Sequence, residues 1–393
     1  MFVGEKLTDI RLLHGYSRND LAKMLDVSEQ SVWQYENNYN GPKLEVMIRL
    51  KSIFNVKTKY FYNDTVYKTQ FDPSFVAYRS KTINSIIKTK YEAVHLEFIE
   101  GLLNIFEDEI EYPQNKLLTI REYAIHYLNQ NNGLIEKKEM IQHVAQYARE
   151  KLELEFDNQR LMFLLEKNGA FIFEKSLGDN IDAYSTWSKQ DRPIIMLGTF
   201  KKSGVRRNFD LAHELGHLLL HYKMDLSDLT KSEYKTIEAE AHDFSSYFLM
   251  PQGEFIEDLK QIKRVSNPKS YIELKEKWSV SIVAMAYYAR KLDYMTYEQY
   301  RYFYASLNRL GYDKVEPLDD TIKIIRPGKV KSSIQFLFED KILTLQELMN
   351  LTNYNEVLIA NILGVEESFI NDYLEKEPPS FNISYINQKR KIH

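Results

Sequence analysis

The 393-residue sequence contains no cysteine. That excludes disulfides and thiolate metal sites, so any metal must be held by histidine, aspartate or glutamate. It also lacks an apolar run near the roughly 20 residues that a membrane-spanning helix requires. The first 15 residues carry Glu5, Asp9 and Arg11 among their apolar positions, which is no secretory leader. A cytoplasmic protein with no membrane partner is the expectation. Large excess charge is missing too. A net charge of -4 argues against coating nucleic acid by bulk charge and leaves DNA binding to a local patch. With 44% hydrophobic and 27% charged residues, the chain has a globular balance and a length suited to two or three domains.

Residues 1–62 read as short helices. Leu7, Ile10 and Leu13 recur at helical spacing, Ser17 and Ser28 stand at helix starts, and Gly15 and Gly41-Pro42 punctuate the segment. Residues 63–73 read as a linker, residues 74–132 as a helical connector without a chemical motif, and residues 134–167 as two helices. The period then changes. Phe171-Ile172-Phe173, residues 183–187 and Pro193-Ile194-Ile195-Met196-Leu197 are short strand-like runs. Helical patterns return at 208–224, 232–250 and 269–291, and residues 295–393 are mostly helical, closing on Pro378-Pro379 and the basic tail Lys389-Arg390-Lys391. Strands followed by helices predict a small α+β domain rather than a doubly wound one. The expected architecture is a mainly α, multidomain chain. It has an all-α helix-turn-helix at 1–66, a helical connector at 67–132, an α+β domain with a small sheet at 133–318, and a helical region at 319–393.

The sharpest chemical signal is His213-Glu214-Leu215-Gly216-His217. Histidines four apart on a helix project from one face, one turn apart, and two such imidazoles can share one Zn²⁺. Glu214 is offset around the helix and can work on a water rather than ligate, taking its proton and later delivering it to a leaving amine. A third ligand is needed. His221 lies roughly 12 Å along the helix from His213, too far to share one ion, and is expected to end the helix instead. The next helix carries Glu238 and Glu240, which differ by about 200° around the axis, so at most one faces the metal. His242 shares the face of Glu238 and is placed to hydrogen-bond a ligand or a substrate.

These residues resemble the ImmA/IrrE family of zinc metallopeptidases, in the form fused to an Xre-type helix-turn-helix. The resemblance extends through Asp182-Ala183-Tyr184-Ser185-Thr186-Trp187, Arg192-Pro193-Ile194-Ile195, Ser203-Gly204-Val205-Arg206, Glu238-Ala239-Glu240-Ala241-His242-Asp243-Phe244, Leu274-Lys275-Glu276-Lys277-Trp278-Ser279-Val280-Ser281-Ile282 and Glu316-Pro317. It implies a zincin-like fold, a gluzincin-like endopeptidase acting on regulatory proteins, and Glu238 as the acidic zinc ligand beside His213 and His217, with Glu214 as the catalytic base. Asp243 stands where this branch often has a basic residue.

Ser17 through Glu36 reads as helix, tight turn, helix. Ala22 sits where two helices cross, and Leu21, Leu25, Val27 and Val32 form a shared core. Glu29, Gln30, Trp33 and Gln34 remain outward on the second helix; glutamine can pair two-pronged with adenine in the major groove. Arg18 can touch phosphate or base. The segment resembles the Xre and phage-repressor helix-turn-helix, which implies Arg18, Gln30 and Gln34 as readers, with Glu29 also at a reading position. Residues 359–373 echo this spacing: Ala360 matches Ala22, Leu363 matches Leu25, Val365 matches Val27 and Ile370 matches Val32. The echo carries Glu366, Glu367 and Asp372 where phosphate would be met, so packing or protein contact is its expected use. The leading expectation is a DNA-binding regulator whose zinc endopeptidase cleaves a repressor- or antitoxin-like protein, with a homodimer left open. The alternatives are a non-enzymatic transcriptional regulator, or a toxin–antitoxin or phage-defence component that uses the zincin domain for recognition. The intact Glu214 favours the enzyme.

Overall fold

The computed structural model describes residues 1–62, 83–155, 157–177, 183–199, 203–222, 224 and 229–374, with the backbone alone at 83–88. The expected linker at 63–73, Asp182, and the tail with Pro378-Pro379 and Lys389-Arg390-Lys391 lie outside the described residues.

The chain is mainly α. It opens with α1 (Gly4–Leu13), α2 (Arg18–Leu25), α3 (Glu29–Glu36) and α4 (Leu44–Phe54). Ser17 starts α2 with a reciprocal cap: its Oγ takes the Asp20 N–H, and the Asp20 carboxylate takes the Ser17 N–H. Asp26 turns the chain in the left-handed region at φ 56°, and the Ser28 hydroxyl caps α3. Leu21, Ala22, Leu25 and Val32 are buried between these helices.

Next come α5 (Ile83–Glu109), α6 (Lys116–Asn131), α7 (Lys137–Lys151) and α8 (Leu161–Lys167), then β1 (Phe171–Lys175), β2 (Ala183–Trp187) and β3 (Pro193–Gly198). β3 is central, parallel to β1 with Phe171 opposite Ile194, and antiparallel to β2 with Ser185 opposite Ile195. Side chains alternate across a pleated sheet, and here each face enters a different core. Phe171, Phe173, Tyr184, Ile194 and Met196 pack with α1–α5 and the C-terminal helices. Ile172, Ala183, Ile195 and Leu197 pack with α6–α8 and with the helices that follow the sheet.

Those helices are α9 (Gly204–Leu220), α10 (Lys231–Leu249), α11 (Gln252–Gln261), α12 (Ile272–Trp278), α13 (Ile282–Lys291) and α14 (Tyr297–Arg309). Two expectations are adjusted. The helix expected at 208–224 begins at Gly204, whose bare backbone lies against a carbonyl: a Cβ there would fall 2.5 Å from the Lys323 oxygen. The pattern at 269–291 is interrupted. Ser279 turns left-handed at φ 49°, and the Ser281 hydroxyl restarts the chain as the cap of α13, 3.1 Å from the Ala284 nitrogen.

The chain continues through α15 (Lys329–Glu339), α16 (Leu345–Thr352), α17 (Glu356–Leu363) and α18 (Glu367–Asn371). In α16–α18 the geometry of α1–α3 recurs. Asn353 takes the left-handed place of Gly15, Gly364 that of Asp26, and Asn355 the capping place of Ser17. Glu366, Glu367 and Asp372 are exposed. The α16–α17 turn is stitched to the first unit by Lys57 N–H to Asn353 O at 2.8 Å and Asn355 N–H to Asn55 O at 3.0 Å.

A buried polar knot joins α5, the sheet and α17. Lys175 Nζ donates to Glu92 at 2.9 Å, and the Tyr184 hydroxyl donates to it at 2.6 Å. His95 Nε2 faces the Ile362 carbonyl at 3.1 Å, so it carries the proton, and Nδ1 accepts from Lys175 at 2.9 Å. Burial pushes His95 below its ordinary value, and the Lys175 charge adds to this. Burial alone would raise Glu92, but the Lys175 charge and the hydrogen bonds that Glu92 accepts hold it down at about 2. Both folded values lie below the unfolded ones. The contribution of these two groups to stability is therefore fully present above about pH 6.5, is reduced first as unfolded His95 binds protons, and is reduced again below about pH 4.5 as unfolded Glu92 is protonated. The urea midpoint is expected to fall between pH 7 and pH 5, and His95→Gln to flatten part of that fall. An unchanged slope would assign it to other groups.

Candidate active site

α9 and α10 lie against each other closely enough that a Cβ at Gly216 would stand 3.1 Å from the Phe244 ring. This approach brings three side chains to one point. His213 Nε2 and His217 Nε2 are 3.1 Å apart, and each lies 3.5 Å from an oxygen of Glu238. Two donors each about 2.0–2.1 Å from a tetrahedral zinc would stand about 3.3 Å apart, which the observed separations bracket. Among the described residues these three form the group able to hold a metal ion. Two imidazoles and one carboxylate leave a fourth position for water or substrate, the donor set of catalytic rather than structural zinc. Burial would raise the Glu238 carboxyl, but hydrogen bonds and charge from His213 and His217 outweigh it and hold it well below the carboxylate range.

Glu214 is 3% exposed and stays out of that group. Ser185 Oγ lies 2.8 Å from Glu214 Oε2 and 3.0 Å from its backbone oxygen. Two residues on, and on the same face of β2, Trp187 Nε1 donates to the Leu218 carbonyl at 2.9 Å. The edge strand is thus fastened along α9, with Glu214 under it. The Arg121 guanidinium holds the far end, over the Trp187 and Tyr222 rings at 4.2 and 3.9 Å.

His221 ends α9 outside the three-residue group and is buried, facing His217 and Glu240. Burial pushes its imidazole down to about 4 against the opposing pull of Glu240. His242 makes ring contacts with Phe209 and Tyr287, both at 4.9 Å. It lines a cavity of about 270 Å³ together with Arg206, Asp210 and Tyr304. Asp243 pairs with Lys291.

In the N-terminal helical unit, Glu29 and Gln30 are exposed on the first turn of α3, and Gln34 is half-buried, accepting from Asn40 Nδ2 at 3.1 Å. Trp33 stacks on Tyr39. Arg18 is engaged within the domain. Its Nε lies 2.5 Å from the buried Glu36, which Arg11 also holds at 2.6 Å, while 40% of the Arg18 side chain remains exposed.

Residues 165–290 match a metallopeptidase-family model described as the IrrE N-terminal-like domain, and residues 7–61 match the helix-turn-helix model. The chain joins a helix-turn-helix domain to an IrrE-like metallopeptidase-family domain. It is 31% identical over 136 residues to a putative HTH-type transcriptional regulatory protein of Pyrococcus abyssi, covering 34% of this chain and 39% of that protein. A similarly named protein of Pyrococcus furiosus is 44% identical over 52 residues, 13% of this chain and 16% of its own length. The HTH-type transcriptional regulator ImmR of Bacillus subtilis is 25% identical over 88 residues, 22% of this chain and 67% of ImmR. The chain therefore spans well under two thirds of the archaeal relatives it matches. Among the described residues no helix is long and apolar enough to cross a membrane.

Within the IrrE-like domain, the sequence patterns assign no role to Ser185, give His221 only as a helix end, and leave Glu240 as the acid turned away from the histidine pair. The signals were present. Ser185 alternates with Trp187 on a strand, His221 follows His217 by one helical turn, and Glu240 was the carboxylate left over once Glu238 was matched to the family.

Proposed function

We propose that this protein is a DNA-binding regulator with a zinc-dependent endopeptidase that cleaves one specific regulatory protein. The observation that carries the enzymatic half is the convergence of His213, His217 and Glu238 with Glu214 beside them and outside the ligand group. A purely structural metal would need no unliganded carboxylate there. Zinc held by the three would supply a Lewis acid for the scissile carbonyl and lower the pKa of water towards about 7. Glu214 takes the proton from the attacking water on its carboxylate and returns it to the leaving nitrogen. Ser185 holds one carboxylate oxygen and so aims the other. Each relative above is named as a regulator, which supports the DNA-binding half.

The test incubates the zinc-loaded protein with repressor- or antitoxin-like proteins encoded beside it. Two discrete fragments of one of them, lost on chelation, are expected; intact partners under every condition would remove the peptidase half. For DNA, Gln34→Ala is expected to cost about 1–3 kcal/mol of discrimination at one base pair, read by titrating promoter DNA at fixed salt. Loss spread evenly over all sequences would remove Gln34 as a base reader.

A further inference from the structure

The ring of His217 has two nitrogens, and both are engaged. Nε2 faces His213 and Glu238, while Nδ1 lies 3.0 Å from Nδ1 of His221. His221 Nε2 lies in turn 3.2 Å from Oε2 of Glu240, and Lys137 Nζ stands 3.5 Å from that same oxygen. The line thus runs from the metal cluster, past the end of α9 and across α10, to the first turn of α7. His221 is buried and Glu240 half-buried, so the line is largely shielded from water.

The protons along this line can be counted. A ligating Nε2 must present its lone pair, so a neutral His217 carries its proton on Nδ1 and donates it to Nδ1 of His221. His221 then carries its own proton on Nε2 and donates it to the Glu240 carboxylate, which Lys137 balances. Only this assignment gives each contact one donor and one acceptor. The two acids of α10 thus divide among three histidines, Glu238 facing His213 and His217 on α9 and Glu240 facing His221 at its end. Glu238 reaches the metal position, and Glu240, about 200° further around the helix, closes the line at the helix end.

We propose that His221 and Glu240 are positioning residues that lock the tautomer and ring orientation of His217, so that its Nε2 lone pair is presented to zinc. The inference rests on the metal-site reading above. Partners of this kind behind a ligating histidine typically contribute about 10- to 100-fold in metal affinity.

The experiment measures zinc affinity of the full-length protein by competition with a chromophoric chelator, for wild type, Glu238→Ala, His221→Leu and Glu240→Gln. It adds ¹⁵N NMR of the histidine rings in the zinc-loaded state and circular dichroism to confirm folding. His221→Leu is expected to lose about 10- to 100-fold in affinity, and Glu240→Gln to lose less. Wild type should show a protonated Nδ1 on His217 and a protonated Nε2 on His221, and Glu240→Gln should mix the His221 tautomers, which a packing role alone would not do. Should His221→Leu not fold, Glu240→Gln carries the test. Tight zinc binding that Glu238→Ala abolishes but both other variants retain, with unchanged ring signals, overturns the positioning role and spares the metal site. Equal, weak binding by wild type and Glu238→Ala overturns the metal reading and this inference with it.

Discussion

Glu214→Gln is expected to lower peptide-bond hydrolysis by about 10²- to 10⁴-fold, the usual contribution of a positioned general base, with zinc affinity nearly unchanged. The reason is geometric. Glu214 sits on α9 with His213 and His217 but outside the group that could hold a metal ion. The amide keeps the side chain's shape and an acceptor for the Ser185 hydroxyl, and loses only the ability to take a proton. The measurement pairs a cleavage assay on a verified protein substrate with metal analysis of the purified variant. Cleavage at the wild-type rate would remove Glu214 as the base. Loss of cleavage together with loss of zinc would show that the variant disturbed the ligands, and would leave the assignment to Ser185→Ala, which should weaken cleavage less.

Lys275→Met is expected to destabilise the fold by about 3–5 kcal/mol, because removing one partner of a buried ion pair strands the others. Lys275 on α12 is fully buried, with Nζ 2.8 Å from Glu316 and 2.7 Å from Asp319. Each acid does a second job. The Glu316 carboxylate takes the first two N–H groups of α13, Ile282 at 2.9 Å and Val283 at 3.1 Å. Asp319 accepts from Ser203, the residue before α9, at 2.8 Å. Burial would raise Asp319, but its hydrogen bonds to Lys275, Ser203 and the Glu316 backbone hold it low. Without the ammonium, two carboxylates share a largely buried space at the foot of α9. Denaturant unfolding of the apo protein measures the cost without any contribution from zinc. A loss under about 1 kcal/mol would mean that water reaches the acids and that the lysine is dispensable.

The divide between what was legible in the sequence and what was not follows the range of the interactions. Ser17, Asp20 and Ser28 announce helix starts because their caps are closed by residues three positions away. The strands at 171–175, 183–187 and 193–198 show in short apolar runs bounded by turn residues, and His213 and His217 share a face because the helical period requires it. Ser279 and Ser281 carried local signals for a break that a single run of helical periodicity concealed.

By itself, then, the sequence determined the helix-turn-helix, the small sheet, the order of strands before helices and the pair of histidines. Only the tertiary structure decided which side chains from separate elements meet. The crossing of α10 over α9 sends Glu238 to the histidine pair and Glu240 to His221. The register of β2 sets Ser185 rather than Thr186 over Glu214. The fold turns part of Arg18 inward to Glu36, although the sequence marked it as a reader of DNA. The physical reason is that such meetings depend on packing angle and distance between elements far apart in the chain, and no spacing within one element encodes either quantity.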